Sequence, residues 1–111
     1  MTFIYLQAIR ESLQELSNLE LQKELWFSDG SNGKDVSSFD EAVEGLFSDT
    51  GLSDLLHKGQ TGLGEEADTI LRLMQSLLPK IDVRHGPKRT IDDPNMNEIR
   101  ALAGRLLSLL A

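Results

Sequence analysis

A chain of 111 residues that is 40% hydrophobic and 26% charged has the balance of one globular domain, because domains centre on about 100–150 residues and disordered chains carry less apolar and more uncompensated charge. The formal net charge of −7 disfavours a polyanion as partner for the chain as a whole. With no cysteine, no basic-then-apolar leader at Met1-Thr-Phe-Ile-Tyr and no apolar run near the ~20 residues that cross a bilayer, there is no disulfide scaffold, thiol nucleophile or membrane anchor to expect, and the expected setting is cytoplasmic.

Leu6, Ile9, Leu13 and Leu16 recur at spacings of three and four, which predicts a first helix over about 2–17. Ser17 and Glu20 have the spacing of a capping box and predict a second helix over about 18–27, carrying Leu21, Leu25 and the Trp26-Phe27 pair. Residues 28–37 (SDGSNGKDVS) hold the Gly, Asn, Asp and Ser that bond their own backbone or accept positive φ, so they read as a long loop. Ser38 and Glu41 repeat the capping box, and Phe39, Val43, Leu46 and Phe47 predict a third helix over about 38–49. Gly51 followed by Leu52 reads as a helix stop with a left-handed glycine. Leu55 and Leu56 predict a short fourth helix ending before Gly59.

A fifth helix starts near Gly64, with Glu65, Glu66 and Asp68 placed where negative charge suits a helix N-terminus. Ala67, Ile70, Leu71, Met74, Leu77 and Leu78 form its apolar stripe, and Pro79 disfavours helical geometry at the residue before it. Residues 80–92 (KIDVRHGPKRTID) read as an extended linker or a lone strand. Asp93-Pro94 is an N-cap followed by proline at the first helical position. The last helix, about 94–110, has an apolar arc of roughly 160°, wider than the ~100° stripe of a surface helix, which predicts a central packing helix or part of a dimer contact. The expected fold is all-α: a compact bundle of about five to six helices in a single domain, 1–111, with a long loop near 28–37 and an extended segment near 80–92.

Charge is the main functional signal. Between Asp29 and Asp68 there are ten carboxylates against Lys34 and Lys58, and residues 1–79 carry 14 acids and 5 bases while residues 80–111 carry 4 acids and 6 bases. The leading expectation is an acidic protein-binding module, of the inhibitor or immunity-protein type, that masks a basic protein. Asp29, Asp35, Asp40, Glu41, Glu44, Asp49 and Asp54 would supply the charge, as would Glu65, Glu66 and Asp68, with Trp26, Phe27 or Phe47 as apolar anchors. For Trp26 and Phe27 core burial is the commoner fate of such residues.

Other constellations are weaker. Asp29, Ser31, Gly33, Asp35, Ser37 and Asp40 fall at positions 1, 3, 5, 7, 9 and 12 of a calcium loop, which gives the alternative of a helical module binding a metal ion or other ligand through 29–40. Lys34 at the sixth position, Gly33 at the fifth and an Asp for the bidentate Glu at the twelfth all count against it. A surface loop whose acids cap the next helix is the simpler reading. Gly59-Gln-Thr-Gly62-Leu-Gly64 feeds a helix start as a phosphate loop does, but no Lys-Ser or Lys-Thr follows and Glu65, Glu66 and Asp68 would repel phosphate. A hinge or tight connection fits better.

His57 and His85 share no motif with zinc ligands or a general base, and Ser31 and Ser53 lack the glycines of a nucleophile elbow. No enzyme and no cofactor are expected. Lys80, Arg84, His85, Lys88 and Arg89 form the one basic cluster and give a third alternative, nucleic-acid contact through 80–89. No aromatic residue accompanies them, so packing of this segment against the acidic centre, in the same molecule or in a homodimer mate, is the blander expectation.

Overall fold

The computed structural model describes residues 6–27 and 38–110. Among the described residues seven α-helices run in chain order: α1 Leu6–Ser17, α2 Leu19–Trp26, α3 Phe39–Phe47, α4 Leu52–Lys58, α5 Glu65–Leu77, α6 Pro87–Asp92 and α7 Pro94–Leu109, with a 3-10 turn Leu78–Lys80 after α5. Among the described residues there is no strand, so the all-α expectation holds, with more and shorter helices than the spacing of apolar residues suggests.

The core is built on α1, which packs against α7, α3 and α2. Its stripe, Ile9, Leu13 and Leu16, is completely buried, and each such side chain contributes roughly 2 kcal/mol by leaving water. The wide arc of α7 is explained by its position: it lies between α1 and α5 and buries Met96, Ile99, Ala103 and Leu106, while Leu102, Leu107 and Leu110 pack at the margin. The Arg10 guanidinium donates to the Leu110 carbonyl at 2.6 Å, tying the end of α7 back to α1. Glu66 of α5 pairs with Arg105 of α7 at 2.6 Å.

A buried polar network joins four helices. The Gln22 amide donates to the carbonyls of Glu15 and Leu16 at 3.0 and 2.8 Å, and its oxygen accepts from Arg100 Nε at 3.0 Å. Arg100 in turn donates to the Ile91 carbonyl at 2.5 Å. Gln22 has no exposed surface, so these bonds replace the water that its carboxamide and the terminal carbonyls of α1 would otherwise require.

Several local expectations change. Ser17 is not the cap of α2: it is the last residue of α1 and donates to the Gln14 carbonyl. Asn18, with φ −114° and ψ 107°, takes the cap position and accepts from Leu21 N at 3.0 Å. An N-cap needs extended backbone, which a residue still inside the preceding helix does not have. Ser38 does cap α3, accepting from Glu41 N at 3.1 Å, and Gly51 is left-handed with φ 78°. Leu78 stays helical before Pro79 and the chain tightens into the 3-10 turn, a common ending where the α ladder runs out of partners.

The segment 80–92 needs correction in its second half: residues 81–86 carry no helix and Ile81 is extended, but Pro87–Asp92 is helical. Gly86 adopts φ 93° and ψ 164° and Pro87 opens α6, so glycine supplies a backbone state closed to other residues and proline is pre-set for the first helical turn. α6 buries Thr90 and Ile91 and packs on α2 and α7.

Candidate functional site

The acidic side chains named from the sequence fall into three groups. Asp29 and Asp35 lie outside the described residues, as does most of the 29–40 loop. Ser38 is spent on capping α3, and Asp40 is exposed in the first turn of that helix. Asp68 and Glu66 are used internally. Asp68 is 6% exposed, and its carboxylate accepts from both the backbone N–H and the hydroxyl of buried Thr61, closing the glycine loop 59–64. Arg72 donates to the Gly59 carbonyl at 2.8 Å, which makes that loop a braced connection. The remaining acids, Asp40, Glu41, Glu44, Asp49, Asp54 and Glu65, are on the surface and make no ion pair among the described residues.

Packing of α1 against α3 creates a groove whose lining includes Glu11, Ser12 and Glu15 from α1, Glu41 and Gly45 from α3, and Asp49 just beyond it. Its volume is about 290 Å³ and its described lining contains four carboxylates and no basic residue. The close approach rests on Gly45, where an added Cβ would stand 3.0 Å from the Ser12 hydroxyl oxygen. Glu41, Gly45 and Asp49 follow at intervals of four, which lines them along one side of α3 and its extension. Glu15 also accepts the Trp26 indole N–H at 2.8 Å. Charge counting over the middle of the chain does not reach Glu11 and Glu15. Their i, i+4 like-charge spacing on α1 is a signal, because such pairs are destabilising and need another reason to be there.

The aromatic residues divide. Trp26 is 5% exposed and meets Phe39 edge-to-face, with centroids 5.9 Å apart and an interplanar angle of 82°. Phe47 is also in the core. Neither is an exposed anchor, because each completes the apolar side of its helix. Phe27, one position past Trp26 and therefore turned about 100° around the helix, is 49% exposed. A second, smaller cleft of about 150 Å³ lies beside Trp26, between Ser38, Phe39 and Asp40 on one side and Val83, Gly86, Pro87 and Thr90 on the other.

The basic segment stands next to α3 at this cleft, but the ion pairs of Lys88 and His85 are local. Lys88 pairs with Asp92 at 2.5 Å and His85 Nδ1 lies 3.0 Å from Asp82. Hydrogen bonding from His85 holds the Asp82 carboxyl below the usual carboxylate range, and Lys88 does the same to Asp92. Burial pulls Arg100 below the ordinary arginine range, with Asp92 opposing the change. His57 is exposed on α4. Among the described residues no three His, Asp or Glu side chains gather where a metal ion could be held, and no helix is long and apolar enough to cross a membrane. No family model matches the chain, and comparisons with curated proteins and with solved structures return no match.

Proposed function

We propose that this chain is a small acidic protein-binding module that docks a basic protein, in the manner of an inhibitor or immunity-type protein masking a cationic surface. The observation that supports this reading is the α1/α3 groove, where Glu11, Glu41 and Asp49 line one depression with no basic residue in its described lining, beside Glu15, which is engaged by the Trp26 indole N–H. Like charges held together raise the energy of the free protein, and a cationic partner would relieve that repulsion while the field speeds encounter. Asp40 and Glu44 extend the charge along α3, and Phe27 is an exposed aromatic side chain able to add affinity.

Pull-down from native lysate at low and high salt, with the wild type and with Glu11→Gln/Glu41→Gln/Asp49→Asn combined, tests the reading. A basic protein retained at low salt, released at high salt and lost with the neutralised groove is the expected result. A protein held equally at both salts or by both variants, or none at all, would count against electrostatic docking.

A further inference from the structure

The second cleft has a different chemistry from the acidic groove. Trp26, Phe39, Val83 and Pro87 give it apolar walls, and Asp40 is the one charged residue in its described lining. Val83 is 46% exposed at the cleft, so part of the apolar wall is open to solvent. The cleft's volume of about 150 Å³ matches a cavity that takes one benzene-sized group, so it fits one side chain and not a helix or a strand. Asp40 makes no ion pair among the described residues, and Lys88, next in the chain to Pro87 of the wall, is already engaged by Asp92 at 2.5 Å.

We propose that this cleft is an anchor pocket for one long basic side chain of the partner, an arginine or lysine whose methylene stem lies on the apolar walls while its cationic head meets the Asp40 carboxylate. Long basic side chains divide in this way between apolar and polar surroundings, and a cation brought to the exposed Asp40 carboxylate at the rim forms a charge-assisted hydrogen bond. A wholly apolar side chain would fill the walls but gain nothing from Asp40, which stays exposed to water at the rim. The occupant is therefore set by charge complementarity at the rim and by volume at the base. This inference rests on the protein-binding reading, and it assigns to that partner a specific contact outside the acidic groove.

The chain's single tryptophan is in the wall and reports on occupancy. n-Butylguanidinium and its neutral isostere n-butylurea are titrated into the intact protein at low salt, following Trp26 fluorescence together with the Trp26 indole, Gly86 and Thr90 N–H resonances. The expected result is saturable binding of both, with the guanidinium about threefold tighter, the effect of one partly exposed charge pair, and loss of that preference in Asp40→Asn. Equal binding of the two probes would make the pocket an apolar anchor site and overturn the proposal. A preference that persists in Asp40→Asn, or no saturable change with either probe, would overturn it as well. Both probes are compared on the wild type, so that comparison does not depend on the variant folding. Because no partner is used, failure here leaves the salt-dependent pull-down as an independent test of the acidic groove.

Discussion

The carboxamide of Gln22 meets opposite demands at its two ends: two carbonyls at the end of α1 need a donor, and the part-buried Arg100 needs an acceptor. Removing one partner of a buried hydrogen bond leaves the other to bear its desolvation, about 1–3 kcal/mol each time. Gln22→Ala is therefore expected to destabilise the protein by about 3 kcal/mol in urea unfolding, and Gln22→Met, which keeps volume but not polarity, should recover less than half of that. At Asp82 the consequence is a pH dependence. Its folded pKa is depressed by His85, so the associated stability is present above the ordinary aspartate pKa and is lost as pH falls through the lower folded value, in the acid range below about pH 4. In His85→Ala the carboxyl titration of Asp82, followed by NMR, should move upward toward the ordinary range. Neither Gln22 nor the Asp82–His85 pair stands out in the sequence. A hydrogen-bond partner 78 residues away leaves no local pattern, and an Asp three residues before a His is too common a spacing to mark a contact.

Between residues 38 and 68 the chain starts three helices, and Asp40, Glu41, Asp54, Glu65, Glu66 and Asp68 all sit in their first turns. Much of the acidity of the middle of the chain is thus accounted for by the favourable placement of anions at helix N-termini. Glu44 and Asp49 are not. Glu44 is in the last turn of α3 and Asp49 lies just past its C-terminus, where its N–H bonds the Glu44 carbonyl at 2.9 Å, and negative charge there opposes the dipole. Asp49→Asn is expected to stabilise the fold by about 0.3–1 kcal/mol in thermal unfolding while weakening salt-sensitive partner retention. A destabilised protein would mean that the carboxylate has a structural role in place of a binding one, and unchanged stability would mean that it does not oppose the dipole. Most helix boundaries are legible in the sequence, since Ser38, Gly51, Asp93 and Pro94 act locally. α6 is the exception, because Gly86-Pro87 reads as a break, although proline at the first position starts α7 in the same way.

At the scale of the whole molecule, α1 holds the helices together, so damage to it should be felt everywhere. Leu13→Ala opens a cavity at a site with no exposed surface, on the helix that packs against both α3 and α7, and is expected to cost about 2–5 kcal/mol. Far-ultraviolet circular dichroism and Trp26 fluorescence should report the same lowered midpoint, because α2 and α7 share their core with α1. Separate midpoints would show that the helices do not unfold as one unit.

The sequence by itself determined the all-helical class, most helix starts and the apolar stripes, because period, capping and glycine stops act within a few residues. Only the tertiary structure decided the surroundings of each acid. It brought Glu11 and Glu15 of α1 against Glu41 and Asp49 at α3, moved Asp68 inside as the brace of a loop, buried Trp26 and Phe47, and left Phe27 outward. Those outcomes depend on which helix packs on which, and a carboxylate has the same side chain whether it faces water, a loop amide or another carboxylate.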